Sequence, residues 1–392
     1  MTEKTNSLTQ LNCPAPLAPK DTVVLGHGSG GRLSAELMRS VFLPAFSNPV
    51  LERLDDQAIV TVNGTRLAFT TDSFVVKPLF FPGGNIGSLA VHGTINDLAV
   101  GGAKPLFLSA AFIIEEGLSI DVLRRVVDSL HAAAANVGVE VVTGDTKVVE
   151  KGSGDELFIN TAGIGLVPDG LELSANRARP GDKVLLSGSI GEHGIAILAQ
   201  REGLEFESPV VSDSAPLHGL VADMLTAVGC NIFAEGENGP QGTTSSFIRG
   251  FVVTEGRPGP VPRDASATAI RCMRDPTRGG VSSTLNEIAE QSCVAIRLEE
   301  SEILVREEVR GACEMLGLDP LYVANEGKLV AIVAPEAADV VLAAMRRNAL
   351  GKDARVIGTI IESSSPIVTI RTALGTSRVV DMLAGDQLPR IC

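Results

Sequence analysis

The chain has 392 residues, of which 44% are hydrophobic and 20% charged, a balance typical of folded proteins and not of disordered ones. This length exceeds one ordinary hydrophobic core, so we expect two domains. The formal net charge of −14 argues against nucleic acid or an anionic membrane as the main partner, although it does not exclude a bound nucleotide.

A polar extension, residues 1–21, is followed by a glycine-rich segment, residues 26–31, that leads into a helical pattern. The backbone N–H groups of such a segment are unobstructed, and the dipole of the following helix favours anions, so the segment is suited to phosphate groups. It is neither a Walker A loop nor a GxGxxG motif. From the residues alone, a flexible hinge is an equally good interpretation.

Acidic side chains recur at the ends of the predicted elements in the first half of the chain. Asp56 precedes a strand, and Asp72 ends the strand that returns from the next hairpin. Asp97 interrupts an apolar helix, where a carboxylate is costly unless it is paired or bound to a cation. Asp145 emerges with Lys147 at a strand terminus, the usual place for ligand groups in α/β folds. One such residue alone is usually a cap or a turn residue, but their recurrence favours metal or phosphate binding.

We predict a first domain over residues 22–168 and a second over residues 179–375. The second domain contains a surface insertion at residues 232–262, to which we assign no chemistry. A helix is predicted for residues 265–273. It leads into residues 274–280, where arginine and aspartate beside glycines indicate an anion or metal site.

Two features near the carboxyl terminus carry reactive groups. Glu326 precedes a predicted buried strand, where it is either a turn residue, which is the commoner case, or a catalytic base. No periodic pattern follows Thr376, so we predict a flexible arm over residues 376–392 that ends in Cys392. A thiolate on such an arm is a nucleophile and a carrier of acyl or carbamoyl groups, although a chain can also end in cysteine by chance.

The cysteine pattern and the amino terminus indicate the compartment. None of the six cysteines forms a CxxC pair, which argues against a zinc ribbon or a disulfide framework. The extension lacks the apolar core of a signal peptide, and no stretch of the sequence is long and apolar enough to span a bilayer. We therefore expect a protein of the reducing cytoplasm.

Five of these segments together resemble the superfamily of aminoimidazole ribonucleotide synthetase and selenophosphate synthetase. They are residues 55–58 (DDQA), 71–74 (TDSF), 96–105 (NDLAVGGAKP), 144–147 (GDTK) and 275–280 (DPTRGG). The glycine-rich segment (GHGSGG) and the final four residues (PRIC) are similar to the branch that matures nickel–iron hydrogenases. The resemblance covers roughly residues 22–392; it does not include the extension, and the insertion carries no family motif.

This resemblance implies an α/β (α+β) fold of two domains, in which the first forms a barrel-like core with a second subunit. It implies ATP in a cleft between the domains, with Mg²⁺ on Asp56, Asp97 and Asp275. The residues that would hold the nucleotide are Gly28, Gly30, Gly31, Asp72, Asn96, Asp145 and Arg278.

The resemblance also implies the chemistry and the partners. Cys392 would receive a carbamoyl group from the carbamoyltransferase HypF, and ATP would drive its dehydration to a thiocyanate. Lys147 would stabilise the electrophile and Glu326 would act as the base, although Asp145 can exchange roles with them. Cyanide would then pass to iron held by the HypC–HypD complex, and neither nucleic acid nor a membrane would take part.

Two rival functions are distinguishable on the sequence. A selenophosphate synthetase would carry a cysteine or selenocysteine in the amino-terminal loop, and residues 26–32 contain none. A nucleotide-binding regulator with a docking tail would share the fold, but it would not need the complete set of Asp56, Asp97, Lys147 and Asp275.

Overall fold

The computed structural model describes residues 22–204, 209–230 and 269–385. The predictions made for residues 1–21, for the insertion at 232–262 and for Cys392 lie outside these ranges. Within them, no helix is long and apolar enough to cross a membrane.

The described residues form helices and strands that alternate along the chain. The helices are α1 (Arg32–Leu37), α2 (Leu43–Phe46), α3 (Ile86–Val100), α4 (Ile120–Val137), α5 (Glu192–Glu202), α6 (His218–Ala227), α7 (Gly280–Ser292), α8 (Glu307–Leu316) and α9 (Ala338–Arg347). The strands of the amino-terminal half are β1 (Ala58–Val62), β2 (Thr65–Phe74), β3 (Phe80–Phe81), β4 (Gly84–Asn85), β5 (Lys104–Glu115), β6 (Glu140–Val149) and β7 (Leu157–Leu166). Those of the carboxyl-terminal half are β8 (Lys183–Leu186), β9 (Ile270–Arg274), β10 (Ala295–Glu299), β11 (Val330–Val333), β12 (Arg355–Ile361), β13 (Ile367–Arg371) and β14 (Ser377–Val379).

The first sheet has the order β1-β2-β7-β5-β6 and is covered on one face by α3. This helix is apolar on nearly all sides, which is the pattern of a helix buried on all sides. Asn85 caps its first turn through Gly87 N at 2.9 Å, and the left-handed Gly102 follows its last turn. The amphipathic α4 packs on the outer side of α3, so α3 lies in the centre of the molecule.

The second sheet has the order β14-β13-β10-β12-β8-β11-β9 and mixes parallel with antiparallel pairs. Its central strands are buried on both faces, with α7 packed on one side and α6 and α9 on the other. These two sheets and their helices confirm the predicted α/β class.

One predicted helix is wrong. The prediction placed residues 265–273 in a helix, but Ile270–Arg274 is the edge strand β9, paired antiparallel with β11. Ile270, Cys272 and Met273 are buried there. A short apolar run of this kind fits a buried strand and a buried helix equally well, so its periodicity did not decide between them.

The arm predicted over residues 376–392 differs from the structure in its first part. Ser377–Val379 pairs with β13, and Val380 is fully buried. The Asp381 carbonyl accepts a hydrogen bond from Ser282 Oγ at 2.7 Å, and the Leu383 carbonyl accepts one from Arg32 N at 2.8 Å. Residues 377–385 are therefore packed against α7 and the glycine-rich segment, and the prediction of a free arm remains only for the residues that follow.

Asn96 on α3 joins the two halves of the molecule. Its Nδ2 donates to the carbonyls of Ala215 at 3.1 Å and Glu326 at 3.2 Å, and its Oδ1 accepts from Leu217 N at 2.8 Å. The Asn96 side chain is fully buried. If it were removed, the backbone groups that it pairs with would lose a hydrogen-bond partner and would not gain water in its place.

We expect Asn96→Ala to lower the free energy of unfolding by at least about 2 kcal/mol, because three buried backbone groups lose their hydrogen-bond partners. The measurement is chemical denaturation of the variant beside the wild type. Asn63→Gly is the control, because Asn63 lies in an exposed turn at φ 51° and should change stability little. Equal stability of the Asn96 variant and the wild type would contradict this role.

Candidate active site

Five acidic side chains from separate elements converge between the two sheets. Asp56 precedes β1, Asp72 lies on β2, Asp97 on α3, Asp275 directly after β9 and Glu326 before β11. Their charges are close enough to interact, since Asp275, Asp56 and Asp72 all raise the pKa of Asp97. The structure thus brings together residues that are separated by up to 270 positions in the chain.

Burial is the main cause of the perturbed protonation of this cluster. It raises the pKa of Asp56 to about 6 and that of Asp275 to about 8, and Asp56 contributes further to the shift at Asp275. The pKa of Glu326 is raised well above its usual value by burial and by Asp275 and Asp72. A carboxyl whose pKa is raised in this way can gain or lose a proton closer to neutral pH, which is the behaviour of a ligand-binding group or of a catalytic acid or base.

Two arginines at the edge of the cluster offset part of its charge. Arg274 Nη2 lies 2.9 Å from Asp56 Oδ1 and 3.0 Å from Glu287 Oε2. Arg278 Nη2 lies 3.9 Å from Asp72 Oδ1, and its Nη1 donates to the Gly28 carbonyl at 3.2 Å. Arg278 thus connects the cluster to the glycine-rich segment. Its role in binding the nucleotide stays a prediction.

The glycine-rich segment packs closely on the turn that follows Asp275. Gly30 has φ 73°, and a Cβ at this position would lie 2.4 Å from the Arg278 carbonyl oxygen. A Cβ on Gly31 would lie 2.3 Å from the Leu383 oxygen, whereas one on Gly28 would meet nothing within 4 Å. Gly30 and Gly31 therefore permit backbone contacts that a side chain would prevent. A cavity of about 320 Å³ lies beside the segment, lined by Gly28, Gly30, Asp56, Arg274, Asp275 and Arg278 among others.

The cluster fits a divalent cation that arrives with a phosphate group. Asp275 Oδ2 is buried and has no hydrogen-bond partner, so it is a ready oxygen ligand. Among the described residues, however, no three acidic, histidine or cysteine side chains already form a metal cage. Mg²⁺ usually binds one or two carboxylates and completes its shell with water and substrate phosphates, so an incomplete protein shell is what this ion requires.

Three predicted site residues do not join the cluster. Both ends of the Asn96 amide are used by backbone groups, so we no longer propose it as a nucleotide ligand. Lys147 and Asp145 pair with each other at 2.9 Å on the edge strand β6, with side chains 69% and 62% exposed. Lys147 is in register with the exposed Ile113, on the face of the sheet opposite α3, whereas Asp72 is in register with the buried Thr161 beneath α3.

Sequence reasoning missed two residues of the site. Arg274 was not among the predicted ligands, although it directly precedes Asp275 in the segment that indicated an anion or metal site. Thr70 Oγ1 donates to Asp97 Oδ2 at 2.8 Å and so partly stabilises the ionised form. No pattern in the sequence marks a threonine two residues before Asp72 for this role.

Known proteins share this architecture. The models of the AIR synthase related protein family match residues 54–167 with the N-terminal domain and residues 249–371 with the C-terminal domain. The carbamoyl dehydratase HypE of Rhizobium leguminosarum bv. viciae is 52% identical over 368 residues, which is 94% of each chain. The chain belongs to the HypE family.

Two solved structures of HypE proteins superimpose on this fold. One is a HypE–HypF complex, whose match has a TM-score of 0.75 and 44% identity and covers 88% of this chain and 99% of the other. The second is a HypE in complex with ATP, with a TM-score of 0.72, 45% identity and coverage of 95% and 100%. The HypE family therefore includes one member whose structure contains HypF and one whose structure contains ATP.

We expect Asp275→Asn to stabilise the unliganded protein at pH 8. The unfolded carboxyl ionises near pH 4, but burial raises the folded pKa to about 8, so between these values the unfolded state binds fewer protons. The free energy of unfolding contributed by Asp275 therefore falls as the pH rises. Removing the charge should raise stability at pH 8 by at least about 1 kcal/mol.

The measurement is unfolding of both proteins at pH 5 and pH 8. The advantage of the variant should shrink at pH 5, where Asp275 is already protonated. Asp128→Asn, at an exposed position of α4, is the control and should show no such pH dependence. An advantage that is equal at both pH values would contradict the assigned pKa.

Proposed function

We propose that this chain dehydrates a carbamoyl group carried on Cys392 to a thiocyanate, with ATP as the phosphoryl donor, and so provides cyanide for the iron of nickel–iron hydrogenases. The observation that carries the proposal is the buried carboxylate cluster beside a glycine-rich segment, in a chain half identical to carbamoyl dehydratases over nearly its whole length. ATP binding is supported by the HypE structure that contains ATP.

The packed carboxyl-terminal segment supports delivery of Cys392 to this site. Ser29 Oγ in the glycine-rich segment lies 3.5 Å from the Gly385 carbonyl oxygen, so the chain leaves the described region beside the cavity. Seven residues, 386–392, follow Gly385. A chain of that length spans at most about 25 Å, which sets the upper limit on the distance between the thiol and Gly385.

The reaction requires that a poor leaving group becomes a good one. The carboxamide oxygen attacks the γ-phosphorus of ATP, one N–H proton is lost, and ADP leaves. Loss of the second N–H proton then forms the C≡N bond and breaks the C–O bond, so inorganic phosphate departs with the oxygen. One of the two N–H protons ends on the departing phosphate, so the products are the thiocyanate, ADP, hydrogenphosphate and one free proton, which balances the reaction.

The residues of the cluster supply binding and proton transfer. Arg278 and the N–H groups of Gly28 and Gly31 would bind the phosphates, because Ser29 N and Gly30 N already donate to Gly26 O and Ser34 Oγ. Asp56, Asp97 and Asp275 would hold Mg²⁺ when it accompanies ATP. The ion would neutralise the charge on the phosphate oxygens. Glu326 accepts the N–H protons, because its buried carboxylate is a stronger base than an exposed one.

We also propose a homodimer formed through the first sheet. The face opposite α3 exposes large apolar side chains, which are Val60, Phe69, Ile113, Ile164 and Leu166. All of β6 except Val149 is exposed, on both faces and at the sheet edge. An uncovered apolar face of this kind is typical of a surface that pairs with another protein. Lys147 lies on this face, so its predicted role at the electrophile depends on the dimer.

The reaction needs a donor of the carbamoyl group and an acceptor of the cyanide. HypF would supply the carbamoyl group, as the HypE–HypF complex in the same family supports. The HypC–HypD complex would accept the cyanide on its iron. We propose the cytoplasm as the site of this work, because a carrier thiol must stay reduced, and Cys230, Cys272, Cys293 and Cys313 are all unpaired.

The decisive test of the dehydratase is mass spectrometry of the carboxyl-terminal peptide after incubation with a carbamoyl donor and its transferase. We expect a carbamoyl adduct on Cys392, and the loss of one water from that adduct only when ATP and Mg²⁺ are present. Cys392→Ser should show neither change, whereas Cys293→Ser, which removes an exposed thiol elsewhere, should show both. A wild-type peptide that never acquires the adduct would refute the proposal.

The dimer is tested by Ile164→Asp, which places a carboxylate in the centre of the exposed apolar face. We expect sedimentation equilibrium to give twice the chain mass for the wild type and a single chain mass for the variant, because burying an unpaired charge is costly. Leu374→Asp is the matched control, since Leu374 is 93% exposed in the turn after β13. A dimer that persists in the Ile164 variant would place the interface elsewhere.

A further inference from the structure

A short connecting segment, residues 212–217, crosses between α3 and the loop that carries Glu326. On the α3 side, Ser214 Oγ lies 2.9 Å from His92 Nδ1, and Asn96 binds Ala215 and Leu217. Burial lowers the pKa of His92 to about 4, so this contact is made by a neutral imidazole. The segment is thus fixed to the first half of the molecule.

On its other side, the segment holds the backbone of the Glu326 loop through Asp213. Asp213 Oδ1 accepts a hydrogen bond from Glu326 N at 3.1 Å, and Oδ2 accepts one from Gly327 N at 3.3 Å. Lys328 Nζ lies 3.0 Å from the same Oδ2. One carboxylate therefore binds three successive residues of this loop.

The segment and the Glu326 loop are in close contact, and the residues that join them are buried. The Asp213 and Lys328 side chains are only 4% and 12% exposed. A Cβ on Gly327 would lie 1.8 Å from the Asp213 carbonyl oxygen, so only glycine permits the approach. A charged pair buried this deeply costs desolvation energy, which its mutual attraction and the two backbone hydrogen bonds must offset.

We propose that Asp213 is a positioning residue for Glu326, which holds the base of the proposed dehydration at the carboxylate cluster through its own main-chain amide. The expected effect on dehydration rests on the proposed function, whereas the hydrogen bonds that hold the Glu326 loop do not. The charge of Asp213 acts on the Glu326 carboxyl, but so do the charges of Asp275, Asp72 and Arg278. Asp213 differs from these neighbours because it also binds the main chain of the Glu326 loop.

The substitutions Asp213→Asn and Lys328→Met separate the parts of this arrangement. The asparagine has the same shape but turns an NH₂ group toward one of the donors, so at least one backbone hydrogen bond is lost. The methionine removes only the ammonium group and leaves both backbone hydrogen bonds. Asp182→Asn is the control, because Asp182 forms a buried pair with Arg271 at 3.3 Å, away from the Glu326 loop.

The first measurement is hydrogen–deuterium exchange of the peptide that contains residues 325–328, which does not require any activity. We expect faster exchange in Asp213→Asn, little change in Lys328→Met and none in Asp182→Asn. Unchanged exchange in Asp213→Asn would overturn the positioning role, whatever the enzyme does.

The second measurement is the single-turnover rate of water loss from carbamoylated Cys392, together with the affinity for ATP. We expect Asp213→Asn to slow the reaction by roughly 10- to 100-fold, because a small displacement of a catalytic group has an effect of this size. ATP affinity should stay within about 2-fold, and Asp182→Asn should change neither quantity. In a Glu326→Gln background the effect of Asp213→Asn should disappear.

The two proposals fail in different ways. A wild-type protein that exchanges as expected but never dehydrates Cys392 refutes the proposed function and leaves the positioning intact. Equal losses of ATP affinity and rate in Asp213→Asn, or an undiminished effect in the Glu326→Gln background, would show that Asp213 supports the fold and does not act through Glu326.

Discussion

Like-charge repulsion in a buried cleft is the constraint on which the rest of this structure depends. Asp56, Asp72, Asp97, Asp275 and Glu326 share this cleft, and burial raises the pKa of every one of them, although the side chain of Asp72 is still 32% exposed. Arg274 and Arg278 offset only part of this charge. The unliganded cleft is therefore an unfavourable arrangement that a divalent cation would relieve, because it would give the carboxylates an opposite charge. A nucleotide is itself an anion, so it would need such a cation between its phosphates and the acidic side chains.

The fold maintains this arrangement because the carboxylates stand on rigid elements that cannot separate. Asp97 belongs to α3, which is buried on all sides, and Asn96 next to it binds the second half of the molecule. The two halves of the molecule are thus joined by hydrogen bonds between a side chain and the main chain. The acidic groups themselves repel one another. The hydrogen bonds of Asn96 do not involve the titrating carboxyl groups.

Much of the fold and part of the site could be predicted from the residues. Asp56, Asp72 and Asp97 were found because a carboxylate at the end of a strand or inside an apolar helix needs a physical reason. The order of the strands in each sheet could not be predicted, because pairing between distant strands leaves no local pattern. The strand at Ile270–Arg274 was missed for a related reason, since a short buried run has no clear periodicity.

The predicted site residues that lie outside the cluster have a common feature. Asn96 and Lys147 lie in segments with family motifs, but a motif does not state which face of an element a side chain occupies. A one-residue step along a helix turns Asn96 away from the cleft that Asp97 faces, and alternation along β6 places Lys147 on the far face of its sheet. Asp213 had no motif at all, because its role exists only where two distant loops meet.

The anchoring of residues 377–385 has a consequence for reaction kinetics. A reactive group on a short tether meets a nearby site at an effective concentration on the order of millimolar, far above that of a typical protein in solution. The proposed tethered substrate would therefore occupy much of its own cleft even if its intrinsic Kd were as weak as roughly millimolar. The enzyme could bind the carbamoyl group weakly and still work, and weak binding would let the product leave quickly for its acceptor.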